Sequence, residues 1–219
     1  PKSFTVEKDN VSITIVQGNS TYVNRSGNQI AIPTIIIRIY DEDNQTWING
    51  TEHPTNATIW VTYNDSNFDS GLVNVTNESG YAEFWFDPEP GCDYSAGIHV
   101  WKPGLLNNTC YVDYNYTGML PNIIIYGDLI NNVTNITCPS GVCYDNENVS
   151  IRGLVQDECG VEINDSDVFF NVSHDGFEDE CKPVNNESNG YYNCSWNVTG
   201  YPGGWYSVEM FSNRTYYNP

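Results

Sequence analysis

Residues 191–207 read YYNCSWNVTGYPGGWYS. Two N-glycosylation acceptor triplets, at Asn193 and Asn197, are threaded among a cysteine, two tryptophans and several tyrosines. Core side chains and glycan acceptors share one segment only if they face opposite ways. Side chains alternate across a β-strand. Read as one strand, residues 191–198 put Tyr192, Cys194, Trp196 and Val198 on one face, and Tyr191, Asn193, Ser195 and Asn197 on the other. Residues 200–204, rich in Gly and Pro, form a turn, and Trp205 opens the return strand. The stretch predicts a sheet with one packed face and one wet face.

The same alternation recurs along the chain. Asn10, Ser12 and Thr14 oppose Val11, Ile13 and Ile15; Asn148, Ser150 and Arg152 oppose Val149 and Ile151; Asn171 opposes Phe170 and Val172. Strands are expected at residues 11–16, 32–40, 57–63, 81–86 and 94–101, then at 123–129, 149–155, 168–172, 191–198 and 205–211. They are short, β-branched or aromatic, and bounded by Gly, Pro, Asn and Asp. No window keeps a 3.6-residue apolar period long enough for a helix.

The two series of strands repeat each other. VTNESGY (75–81) recurs as VNNESNGY (184–191), and PGCDYS (90–95) as PGGWYS (202–207). More loosely, IYDED (39–43) matches VQDE (155–158), and NATIWVT (56–62) matches DSDVFFN (165–171). The order is kept at an offset near 110 residues, which reads as a duplicated domain. Gly118 and Pro121 interrupt the pattern, so domain 1 is expected at 1–119 and domain 2 at 120–219. Modules of this length with around seven short strands indicate immunoglobulin-like sandwiches. The expected fold class is all-β: two tandem immunoglobulin-like β-sandwich domains.

Composition bounds the function. A chain of 219 residues with 39% hydrophobic and 14% aromatic residues supports real cores. The net charge is -20 with only eight Lys and Arg, which argues against nucleic acid and anionic membrane surfaces as partners. No apolar run approaches a membrane span, so direct membrane insertion of this chain is not expected. The sequence begins at Pro1 without a signal peptide, as expected of a processed chain or a piece of a longer one.

Acceptor triplets occur at Asn10, Asn19, Asn24, Asn44, Asn49, Asn56, Asn64, Asn74, Asn77, Asn107, Asn115, Asn132, Asn135, Asn148, Asn164, Asn171, Asn186, Asn193, Asn197 and Asn213. With 29 Asn and 32 Ser or Thr in 219 residues, chance gives roughly four triplets against these 20. The excess predicts an extracellular or cell-surface protein covered in covalent N-glycan. Seven cysteines agree with an oxidising compartment, and no paired CxxC or CxxCH calls for zinc or haem.

Cys181 and Cys194 flank the turn at 185–190 symmetrically, so a bridge between opposed strands is expected there. Cys92–Cys110 is the one pairing open within the first copy, and Cys138–Cys143 closes a small loop. Cys159 is left free or bonded outside the chain, with a fold-back onto Cys138 or Cys143 as the alternative.

No catalytic residues are expected. His53, His99 and His174 have no motif neighbours, and His99 is expected to face outward between Ile98 and Val100. No cofactor is called for. The acidic clusters at Asp41-Glu42-Asp43 and Asp157-Glu158 read as solvated turns, with a Ca²⁺ site as the functional alternative.

The chain resembles tandem immunoglobulin-like modules of prokaryotic, especially archaeal, S-layer-associated, adhesin or surface-filament proteins. The likeness is carried by NESGY (77–81), PGCDY (90–94), NESNGY (186–191) and PGGWY (202–206), with the acceptor density and the Tyr/Asn/Ile bias, over nearly the whole chain. It implies structural or adhesive roles and no family active site. The expected function is a structural subunit of a surface filament or layer. Copies of the chain are its partners, joined head-to-tail, with residues 1–8 either a donated strand or an ordinary first strand. The alternative is an adhesin or receptor ectodomain that binds a ligand through end loops.

Overall fold

The computed structural model describes residues 2–26, 33–63, 67–88 and 91–219. The chain forms two compact units, residues 1–126 and 127–219. All regular structure among the described residues is β-strand.

In the first unit the strands are β1 (Val11–Gln17), β2 (Thr21–Asn24), β3 (Thr34–Asp41), β4 (Thr46–Trp47), β5 (Asn56–Val61), β6 (Leu72–Val75), β7 (Tyr81–Trp85), β8 (Gly97–Leu105) and β9 (Tyr114–Asn115). β10 (Asn122–Thr137) begins there as well. One sheet is built on β3, which pairs antiparallel with β1, β4 and β7. The other runs β6-β5-β8 and continues into residues 122–125, antiparallel to β8 from Asn122↔Val100 to Ile125↔Gly97. Residues 123–126 also pair with β2, in parallel, from Ile123↔Thr21 to Tyr126↔Asn24.

Period-2 patterning makes these strands and packs them. Ile35, Ile37 and Ile39 alternate inward along β3 and are fully buried. From the facing sheet Ile59, Val61, Trp101, Leu105, Ile123 and Ile125 meet them in one core. Each such side chain contributes about 1.5–3 kcal/mol on burial. Trp101 carries a polar edge into this core, and its Nε1 donates to the Gly18 carbonyl at 2.9 Å. Gly18 has φ +109°, and a Cβ there would lie 2.9 Å from the Ile35 side chain, so both conformation and space call for glycine.

The second unit holds residues 127–137 of β10, then β11 (Asn148–Asp157), β12 (Asp167–His174), β13 (Phe177–Cys181), β14 (Asn185–Asn186), β15 (Tyr191–Asn197), β16 (Ser207–Asn213) and β17 (Tyr217–Asn218). β11 lies between β10 and β15, while β14 extends β15 and β17 pairs with the start of this part of β10. The opposite sheet is β13-β12-β16. Ile151, Val155, Phe170, Val172, Tyr192, Trp196 and Met210 fill the space between the sheets.

Six strands of each unit match in order and pairing: β1 with residues 129–137, β3 with β11, β5 with β12, β6 with β13, β7 with β15, and β8 with β16. The division differs from the expected 119/120. Residues 122–126 lead toward the second unit, yet Ile123 and Ile125 are buried in the first unit's core, so the units part after Tyr126. β10 also continues past the expected end at Leu129, because its polar second half is held by an antiparallel ladder to β11.

Candidate functional site

The acceptor asparagines are the largest set of candidate functional residues. Asn64 lies outside the described residues. None of the other nineteen is buried: Asn24, Asn49, Asn171 and Asn193 are half-buried and fifteen are exposed. The one buried asparagine among the described residues, Asn108, is not an acceptor. It stands beside the exposed acceptor Asn107, and its Oδ1 accepts the backbone N–H groups of Cys110 and Tyr111 at 3.0 and 3.2 Å. The two asparagines are neighbours in sequence, with one turned in to shape a turn and the other turned out.

The pleat accounts for this separation on the strands. On β15, Tyr192, Cys194 and Trp196 are buried, while Asn193 is half-buried and Asn197 exposed. On β11, Asn148 and Ser150 are exposed between buried Val149 and Ile151. At some acceptors the amide nitrogen, where sugar is attached, already donates. Asn193 Nδ2 donates to Glu187 at 2.7 Å and Asn74 Nδ2 to the Glu83 carbonyl at 2.6 Å. Asn77 and Asn197 instead use Oδ1 as an acceptor within their own turns.

The cysteines depart from expectation in one pairing and one assignment. Cys181 and Cys194 are bonded, with Cα atoms 6.0 Å apart, as are Cys138 and Cys143 at 5.2 Å. The Cys181–Cys194 bridge links β13 in one sheet to β15 in the other, so it staples the two layers instead of opposed strands of one hairpin. Cys92–Cys110 is not formed: Cys110 is a free, exposed thiol, and Cys92 is disulfide-bonded. Cys159 is disulfide-bonded too, and is neither a free thiol nor joined to Cys138 or Cys143. Sequence nearness does not set Cα separation, and only a separation below about 7 Å permits a bridge.

The acidic clusters are turn devices. Asp41 is buried, and its carboxylate accepts the N–H groups of Asp43 and Asn44 and the Asn44 side chain. Asp157, also buried at the equivalent strand end, accepts from the N–H groups of Cys159 and Val161. Both act as aspartates that fold the chain back on itself. Among the described residues no group of three His, Cys, Asp or Glu is arranged to hold a metal ion.

His99 is buried, contrary to the outward reading. Trp101, Pro103 and Leu105 set the inward phase of β8, and His99 falls in that phase while Ile98 is exposed. Its two ring nitrogens face the carbonyls of Thr62 and Ser95, which makes the burial tolerable. His53 is exposed, and His174 Nδ1 bonds the Trp205 carbonyl at 2.8 Å.

One feature escaped sequence reasoning: an aromatic-walled cavity of about 600 Å³ in the second unit. Trp196, Tyr201, Tyr206 and Trp205 line it, above aliphatic side chains that include Val172 and Val208. Trp205 is 95% exposed. Asp179 fixes part of the wall, accepting from Trp196 Nε1 at 2.8 Å and from the Tyr201 hydroxyl at 2.7 Å. Those two bonds hold the Asp179 carboxyl below its ordinary range. The signal in the sequence was the aromatic density of the opening stretch, which reads as core without its partners.

No protein-family model matches the chain, and no curated protein matches it. Among solved structures the chain is similar to the cryo-EM reconstruction of the native conformation of E. coli alpha-2-macroglobulin. The TM-score is 0.36 and the identity 9%, over 96% of this chain and 16% of that one. No helix among the described residues is long and apolar enough to cross a membrane.

Proposed function

We propose that the chain is an extracellular, heavily N-glycosylated structural protein of a surface filament or layer, with copies joined head-to-tail. Its two units are read as immunoglobulin-like domains in series. The carrying observation is the asparagine partition: nineteen described acceptors stand at the surface while the one buried asparagine is a non-acceptor. Bridged cysteines support an oxidising compartment. Sugar on the outward strand faces blocks broad face-to-face packing and leaves unit ends and sheet edges for contacts between copies.

Two measurements on native material test it. Intact mass will exceed the 24.7 kDa of the polypeptide by many kilodaltons. Sedimentation will show species heavier than one chain. A mass at the polypeptide value removes the glycan half of the reading, and a monodisperse monomer at high concentration removes the assembly half.

A further inference from the structure

The second sheet of the first unit does not stop at β8. Residues 122–126 lie between β8 and β2, and from there Ile123 and Ile125 enter the core fully buried. This filling strand is the one that leads into the following unit.

In the second unit no described residue occupies the corresponding place. β16 is the counterpart of β8, and among the described residues it pairs only with β12. Its other edge carries unused N–H and C=O groups. The connection at 138–147 corresponds to the one that bears β2, but it is closed by Cys138–Cys143 and forms no strand. The 600 Å³ cavity lies between these two features: Tyr144 comes from that connection, Tyr206 from just before β16 and Val208 from its start, and Ile151 and Val172 form the floor. The cavity occupies the slot that residues 122–126 fill in the first unit. No asparagine lines it, so no acceptor site stands in its mouth.

The chain also carries an unused strand. Residues 3–8 read SFTVEK, lead into β1 as residues 122–126 lead into the rest of β10, and form no strand pairing. Phe4 and Val6 are 88% and 80% exposed and stand two residues apart, so they share one face of an extended segment. Counted from Val11 and Leu129 they fall at residues 122 and 124, so their entry into the slot shifts the strand by one residue from the register of Ile123 and Ile125.

We propose that residues 3–8 of one copy enter the slot of another copy's second unit. They pair antiparallel with the first half of β16 and lower Phe4 and Val6 into the cavity. The proposal rests on the head-to-tail reading and supplies its joint. The aliphatic floor favours apolar side chains over a sugar, whose hydroxyls would be desolvated there without partners. Strand addition satisfies the β16 edge and buries both apolar residues at once.

The test compares the glycosylated chain with its Phe4→Asp/Val6→Asp variant by sedimentation velocity over a range of concentrations. Both positions are exposed, so circular dichroism and melting should be unchanged. The wild-type chain should form a concentration-dependent series and the variant only monomer. A synthetic peptide of residues 2–9 should shorten the wild-type series and protect residues 207–210 from amide exchange. A series that persists in the variant overturns the inserted strand and leaves the assembly reading standing. A wild-type monomer that binds the peptide keeps the slot as a strand acceptor but overturns a second copy as its occupant. A wild-type monomer that ignores the peptide overturns both. Exchange protection at 207–210 by an oligosaccharide and not by the peptide also overturns the proposal.

Discussion

The two units share a strand order but are held together differently. Among the described residues the first buries eighteen apolar residues in one continuous core and closes its second sheet with residues 122–126. The second buries twelve, keeps a cavity where that strand would lie, and contains two disulfides within itself. Apolar burial does in one unit what a covalent staple between layers does in the other. The shared strand order therefore does not fix the means of stabilisation, which differs between the two units.

The sharpest way to break this comparison is to remove the central side chain of the first core. Trp101 is fully buried and hydrogen-bonded to Gly18. Trp101→Ala should cost about 3–5 kcal/mol and leave the Gly18 carbonyl without its donor. In urea unfolding followed by amide exchange, protection should fall in the first unit while β11 and β15 keep theirs. Equal loss in both units would show that they do not stand as separate cores.

The reciprocal change is Cys181→Ala with Cys194→Ala. Both side chains are buried, so alanine leaves no unsatisfied polar group. Loss of the staple should cost about 2–4 kcal/mol, confined to exchange in the second unit. If its protection were unchanged, the smaller core would suffice alone and the contrast would fail.

Titration bears on different groups in the two units, although Tyr201 in the second is raised by its hydrogen bond to Asp179 as the tyrosines of the first are raised. In the first, burial and the nearby Asp41 carboxylate push the Tyr111 hydroxyl up to about 12, and burial with Asp69 raises Tyr94 further. A raised value means that this stability is present below the ordinary 10.0 and is lost as pH rises toward about 12. In the second, hydrogen bonds from Trp196 and Tyr201 lower Asp179, and those from Arg152 and Asn193 lower Glu187. Their contribution is present above ordinary carboxylate values and is lost as pH falls beneath them. Alkali should loosen the first unit first, and acid the second. Asp179 is half-buried and Glu187 lies at the surface, where solvent screens both, so the acid effect should be the weaker one.

Much of this was legible from a period-2 pattern. The pleat of residues 191–197 and the Ile35-Ile37-Ile39 row are local properties, and the sequence states them directly. What it could not state are facts of tertiary placement. The Ile-rich run after Pro121 reads as the first strand of a second domain, and only its packing beside β8 shows that it completes the first. FEDEC at 177–181 is too acidic to read as a strand, yet β12 holds it in register with Cys181 inward. The polar residues 131–137 are strand only because β11 pairs with them. His99 was misplaced because its phase is set by Trp101 and Leu105 further along β8, and Cys92 because spacing alone cannot choose among cysteines. The cavity was invisible for the same reason: a vacancy is defined by what fills its counterpart.

The finest test sits within three residues. Asn107-Asn108-Thr109 contains one acceptor and one structural asparagine. Asn108→Ala removes the group that accepts from Cys110 and Tyr111, two bonds of roughly 0.5–1.5 kcal/mol each. It should destabilise the first unit by about 1–2 kcal/mol. The acceptor triplet at Asn107 survives that change, so the glycan mass should be unaltered. Thr109→Ala destroys the triplet at an exposed position, so stability should move by less than about 0.5 kcal/mol while a glycopeptide spectrum loses the sugar at Asn107. If Asn108→Ala left stability untouched, or Thr109→Ala left the Asn107 peptide unchanged in mass, the division of asparagines into turned-in and sugar-bearing would fail at the place where it is drawn most closely.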